Sequence, residues 1–140
     1  MTELKGKVIR GEQYGRKLGF PTANLDRRDY GRRHLKIKLG VYAGWAEIVA
    51  SGKHQVSRKY RAGIVMGPTD KSGLPKIEAH LIGFKGNLYD RRIKLNLIKY
   101  LRPFKKFRDA KELKEQIRRD VQRVREMENT ERQRSRKIER

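Results

Sequence analysis

Residues 76–82 read Lys76-Ile77-Glu78-Ala79-His80-Leu81-Ile82. Ile77, Ala79 and Leu81 fall on one face, and Lys76, Glu78 and His80 on the other. A period of two belongs to a strand with one buried face. Residues 91–100 repeat it, with Ile93, Leu95 and Leu97 opposite Lys94 and Asn96. Working outward, short β-branched or aromatic runs lie between Gly and Pro punctuation at 6–10, 41–50 and 60–66. These five segments are predicted strands. Residues 51–59 read as a hairpin connection, and residues 26–38 as a basic loop carrying Arg27, Arg28, Arg32, Arg33, Lys36 and Lys38. Closely spaced strands with no long helix between them predict an antiparallel sandwich or barrel.

The pattern changes after Pro103. Asp109 followed by Glu112 has the form of a capping box. Leu113, Ile117, Val121 and Val124 then recur at helical spacing and give one apolar face. The predicted helix spans about 110–127, with Asn129-Thr130 as its stop. The organisation expected is one domain, 1–127, followed by a frayed or disordered basic tail, 128–140.

Composition bounds the function. A chain of 140 residues is one domain's worth of sequence. It has no cysteine, which excludes a disulfide scaffold, a thiol enzyme and a zinc–cysteine site. Its three histidines, His34, His54 and His80, are scattered, so a histidine metal cluster is not expected. No apolar run approaches the ~20 residues of a spanning helix, and the first residues lack a secretory signal. With 37 Lys+Arg against 16 Asp+Glu, the net charge is +21. A cytoplasmic protein that meets phosphates, nucleotides or nucleic acid is the expectation.

Two segments carry candidate chemistry. Residues 10–25 place Gly11, Gly15 and Gly19 four apart around Arg16 and Lys17. Glycines allow close backbone approach to a phosphate, and successive N–H groups form an anion-binding nest. A plain surface turn is the competing reading. Pro21-Thr22-Ala23-Asn24 follows. In an extended segment Thr22 and Asn24 point the same way, and a hydroxyl with an amide oxygen suits Mg²⁺ when phosphates supply the charge. Both could equally bond the local backbone of a turn. Glu78, off the apolar face of its strand, is either a solvated residue or a base for a hydroxyl. His80 reads as a structural hydrogen-bonding residue.

Taken together, these blocks resemble riboflavin kinase. The blocks are Gly6–Gly11, Gly15–Leu25, Gly40–Ala46, Pro68-Thr69, Ile77–Phe84, Asn87–Tyr89, Tyr100–Pro103 and Lys106-Phe107. The resemblance covers about residues 4–125, and its Gly-Phe-Pro-Thr-Ala-Asn string is the most specific part. It implies a mainly β fold, a six-stranded antiparallel Greek-key barrel with a C-terminal α-helix. It implies transfer of the ATP γ-phosphoryl group to the ribityl 5′-hydroxyl of riboflavin, giving FMN and ADP, by a cytoplasmic monomer. It implies a kinase standing alone, without the FAD synthetase domain to which many bacterial relatives are fused.

The resemblance also implies residue roles. Glu78 matches the catalytic base. Thr22 and Asn24 match the Mg²⁺ ligands. Gly15, Arg16, Lys17, Gly19, Pro21 and Thr22 match the nucleotide-binding loop. Arg102 and Phe107 match the flavin-binding flap. Three departures stand out: Gly63-Ile64-Val65 where the family has Asn-Ile-Gly, Phe104 where it has an acid, and Asp90 where it has a turn glycine. They put loop geometry and flavin affinity in question. The charge supports an alternative from another class, a non-catalytic RNA-binding protein reusing the barrel.

Overall fold

The computed structural model describes residues 2–10, 19–50 and 57–138, with side chains through Met127. Six antiparallel strands form a closed barrel: β1 (Thr2–Ile9), β2 (Ala23–Leu25), β3 (Gly40–Ile48), β4 (Arg58–Thr69), β5 (Pro75–Leu81) and β6 (Arg92–Arg102). Their order round the barrel is β1-β2-β5-β4-β3-β6. Two helices accompany them, the short α1 (Arg28–Arg32) and the long α2 (Ala110–Ile138). The Greek-key character lies in β2, which leaves its sequence neighbour β3 and pairs with β1 and β5. Among the described residues no helix is long and apolar enough to cross a membrane.

Alternation fills the interior. Leu4 and Val8 from β1, Ile77, Ala79 and Leu81 from β5, and Ile93, Leu95 and Leu97 from β6 are buried together. β1 begins at Thr2 rather than residue 6 because Leu4, in phase with Val8, is 1% exposed. A second apolar cluster lies outside the barrel. Val41, Ala43, Ile82 and Leu101 pack against Val124 and Met127 of α2, with Val65, Ile98 and Val121 at the margin.

One irregularity makes both clusters possible. The β3–β6 ladder shifts register between Val41 and Tyr42 and again between Ala43 and Gly44. Such bulges re-aim side chains. Leu97 and the residues in phase before it face the barrel interior. Beyond the shift, Ile98 and Leu101 face α2. The strands approach so closely here that a Cβ on Gly44 would lie 1.9 Å from the Asn96 carbonyl oxygen. Only glycine fits at this point.

α2 starts as its cap residue predicts. The Asp109 carboxylate accepts the Glu112 N–H at 2.8 Å, while the Glu112 carboxylate turns to Arg108 at 3.1 Å. Of the expected apolar face, Val124 is fully buried, and Leu113 and Ile117 are only half-buried. Docking is concentrated at the middle of the helix. There Asp120 pairs with Arg102 at 2.8 Å, and Arg123 donates to the Leu101 carbonyl at 3.0 Å. The helix does not stop at Asn129-Thr130 but continues to Ile138. Asn and Thr are only mildly unfavourable in a helix, and Glu, Arg, Gln and Lys beyond them are strong formers.

The basic loop predicted at 26–38 contains α1 instead. Asp26 accepts the Arg28 N–H at 2.9 Å at its start. Tyr30 anchors it, 5% exposed, with its hydroxyl accepting the Ile37 N–H at 3.1 Å. Arg27 then ties this region to the β4–β5 turn, reaching Asp70 at 2.6 Å and donating to the Leu74 carbonyl at 3.1 Å. The Ser72 hydroxyl, and after it the Arg27 guanidinium, hold the Asp70 carboxyl down at about 2.

Two expected outcomes follow from this packing. Val124→Ala should cost about 2 kcal/mol, the transfer of two methyl groups plus a residual cavity. Urea unfolding should show a lower midpoint at an unchanged slope. The Asp70 carboxyl is lowered on folding, so its contribution is complete above the ordinary value of 3.8 and lost as pH falls toward about 2. The stability difference between wild type and Asp70→Asn should therefore be constant near neutrality and shrink from pH 4 to pH 2.

Candidate functional site

β2 is three residues long, and its position decides the site. It lies between β1 and β5, with Ile9 opposite Asn24 on one side and Glu78 opposite Asn24 on the other. Ala23 and Leu25 point into the core, as do Ile77 and Ala79 on β5. Asn24 and Glu78 therefore share the outer face as direct cross-strand neighbours, a relation that puts Cβ atoms roughly 4.5–5.5 Å apart. They line a small depression of ≈ 140 Å³ with Arg10, Arg27, Asp70 and Lys76. Neutral oxygen, carboxylate and cations meet there on one rigid sheet.

The segment leading into β2 is pinned to the same strand. His80 Nδ1 lies 2.8 Å from the Pro21 carbonyl oxygen, and the Phe20 ring meets the imidazole edge-on with centroids 5.7 Å apart. The structural role read for His80 holds. Gly19 has φ +88, a left-handed conformation that a side chain would strain. Gly15, Arg16 and Lys17 lie outside the described residues.

Thr22, half-buried, sits two residues before Asn24 at the rim of a second depression of ≈ 300 Å³. Pro21, Phe84, Lys85, Asn87 and Tyr89 complete that rim. It is a mostly apolar hollow at the barrel end with two aromatic rings and one cation. Among the described residues no group of three or more His, Asp or Glu could hold a metal unaided. The donor set at Thr22 and Asn24, two neutral hard oxygens beside one carboxylate, fits a divalent cation that brings phosphate oxygens with it.

Round the barrel from Glu78, the register continues to Val65 on β4, Val41 on β3 and Arg102 on β6. Val65 and Val41 carry this outer face beneath α2. Glu78 thus stands between Asn24 on one side and the edge of the helix-covered surface on the other. Next to it, Gly63 pairs with His80, and a Cβ built there meets nothing within 4 Å.

The structure accounts for the three departures. Val65 packs under α2 rather than crowding the Asn24–Glu78 depression. Asp90 keeps the left-handed turn, with φ +67, and its N–H donates to the Val8 carbonyl at 3.0 Å. Phe104 covers Gly67, where a Cβ would lie 2.9 Å from the ring. Of the predicted flavin residues, Arg102 is engaged by Asp120 through Nε and Nη2. Its guanidinium lies 6.0 Å from the Phe107 ring centroid. The two meet each other at the segment joining β6 to α2, and the lining of the Asn24–Glu78 depression does not include them. Arg27 and Asp70 do line it, though Arg27 was read only as part of the basic loop and Asp70 was not singled out. Their only signal was a basic residue just after β2 and an acid in a turn.

Comparison with known proteins identifies the family. The family model described as Flavokinase: Riboflavin kinase matches residues 1–128. The RNA-binding riboflavin kinase RibR of Bacillus subtilis is 34% identical over 125 residues, covering 86% of this chain and 49% of RibR. The chain thus spans about half the length of that relative. Riboflavin kinase of Mus musculus is 31% identical over 120 residues, covering 84% of this chain and 75% of the mouse protein. The crystal structure of riboflavin kinase from Trypanosoma brucei superposes with a TM-score of 0.68 at 27% identity, covering 89% of this chain and 75% of that one. A six-stranded barrel with its C-terminal helix, a family model matched from residue 1 to 128, and relatives of this name together place the chain in the riboflavin kinase family.

Proposed function

We propose that this chain phosphorylates riboflavin, moving the γ-phosphoryl group of ATP to the ribityl 5′-hydroxyl to give FMN and ADP. The observation that carries the reading is the register of Asn24 against Glu78. It sets a candidate metal–phosphate ligand and a candidate base side by side on two paired strands. A phosphoryl donor held at one and a hydroxyl at the other would be within bonding reach.

In this reading, Glu78 accepts the proton of the 5′-hydroxyl. The ribityl oxygen bonds to the γ-phosphorus as the bond to the β,γ-bridging oxygen breaks, and ADP leaves with that electron pair. Phosphoryl transfer asks the protein for in-line positioning and charge neutralisation more than for covalent chemistry. Thr22 and Asn24 would hold Mg²⁺, which neutralises charge on the phosphate oxygens when bound. Gly15, Arg16, Lys17, Gly19 and Pro21 would wrap the nucleotide phosphates. The hollow with Phe84 and Tyr89 is the right size and polarity for the base. Flavin would bind toward the 103–109 segment, where Phe107 offers a ring and Arg102 fixes the segment's root through Asp120. The chain would act as a cytoplasmic monomer.

The alternative, a non-catalytic RNA-binding protein, draws on the charge of +21 and on the name of RibR. The pairing of Asn24 with Glu78 favours the kinase, because phosphate-backbone binding uses cations and gains nothing from a half-buried carboxylate.

Purified protein with riboflavin, ATP and Mg²⁺ should form FMN, resolved by chromatography. Glu78→Gln should lower kcat a hundredfold or more with little change in nucleotide affinity, the magnitude of a lost general base. Unchanged turnover would remove Glu78 from the mechanism. Asn24→Ala should raise the Mg²⁺ concentration needed for half-maximal rate. A metal dependence that stayed put would overturn the ligand assignment.

A further inference from the structure

A larger concavity lies on another part of the barrel. It is a groove of ≈ 1010 Å³ between β1, β6 and α1, lined by Lys5, Lys7, Arg28, Arg32, Arg92 and Lys94 among others. Glu78 is on β5, separated from this groove by β2 in one direction and by β4 and β3 in the other. Nothing in the proposed phosphoryl transfer uses these six cations.

Their arrangement is costly in isolation. The ladder sets Lys5 directly opposite Lys94, and Lys7 opposite Arg92. Like charges facing each other across strands destabilise a sheet. Among the described residues these four have no ion pair. The nearby acids do not relieve them. Asp26 pairs with Arg28 at 3.3 Å, and Asp29 with Arg33 at 3.2 Å and Arg32 at 3.8 Å, so both acids are taken up by arginines of α1 or next to it. Glu47 on β3 is the other register partner of Lys94, yet forms no ion pair with it among the described residues. Each strand contributes two cations two residues apart, so the charges run in two rows with about 7 Å between members.

We propose that this groove docks the phosphate backbone of a helical nucleic acid. Two parallel rows of cations match an extended polyanion better than a single small phosphate. The lining contains no aromatic side chain, so there is no platform on which unpaired bases would stack, as single-strand binders require. A concave floor receives the ridge of a duplex, whereas a flat lipid surface would leave Lys5, Lys94 and their neighbours standing off it. Backbone contacts carry no sequence information, so the binding is sequence-tolerant. Neutralised phosphates release counterions, which makes it salt-sensitive.

The test is fluorescence anisotropy of the full chain with a labelled duplex of ~24 base pairs, as RNA and as DNA, across a salt series. The expected result is duplex binding with a slope of log K against log salt of about −4 or steeper. Lys5→Ala/Lys94→Ala should flatten that slope by about 2 and weaken binding at least tenfold. Lys5→Glu, which gains Lys94 as a cross-strand partner and so keeps the sheet, should weaken it further. Lys105→Ala/Lys111→Ala, both exposed, one before α2 and one in its first turn, should change neither value. Urea midpoints no lower than wild type show that the groove variants are folded, since removing facing like charges relieves the sheet. The RNA and DNA arms say which backbone is the source. An unchanged slope in the groove variants, an equal loss in the Lys105/Lys111 control, single strands binding as tightly as duplexes, or binding only to phosphatidylserine vesicles would each overturn the proposal.

Discussion

Ala23–Leu25 has to satisfy two strands at once. It gives backbone pairing to β1 on one edge and to β5 on the other, and among the described residues nothing else joins those strands. Without it the sheet would keep two open edges, each a row of unpaired N–H and C=O groups. Closure demands that Ala23 and Leu25 point inward. That fixes Asn24 outward and fixes its neighbour as Glu78. The His80 bond to the Pro21 carbonyl holds the approach to this strand in register. A candidate site built on a closing strand inherits the rigidity of the whole barrel, and such rigidity is what positions reacting groups.

The second constraint is the pair of shifts between β3 and β6. A sheet with strict alternation has one buried face. Here the same strands bury an inner face along most of their length and an outer face near Val41 and Leu101. The outer face gives α2 its seat, and the Arg102–Asp120 pair locks helix to strand. This pair is mostly shielded from water, so losing either partner would strand a charge. Helix position and the β6–α2 segment are therefore coupled through one ion pair.

Much of this could be read from the chain. Period-two patterns at 76–82 and 91–100 gave strands, the Val121–Val124 spacing gave the helix face, and Asp109 gave its start. What escaped had physical causes. β2 is too short, and too close to a proline, to display any period. α1 is hidden because its single anchor, Tyr30, sits among arginines that dominate local polarity. The end of α2 was misplaced because Asn129-Thr130 disfavours a helix only slightly. Glu78 and Asn24 were legible as separate candidates through the family resemblance. Their adjacency was not, because closure brings together residues from distant parts of the chain. Val65 counted among the departures that put loop geometry in question, and the register sends it beneath α2.

Gly63 has a use beyond its place in β4. The position beside it holds His80, the diagonal holds Glu78, and the space above it is empty. Its backbone is ordinary strand, so a side chain can be accommodated there. The chain contains no cysteine. A single cysteine at 63 would therefore be a unique thiol, and a fluorophore or spin label on it would report events at the outer sheet without any competing site of attachment.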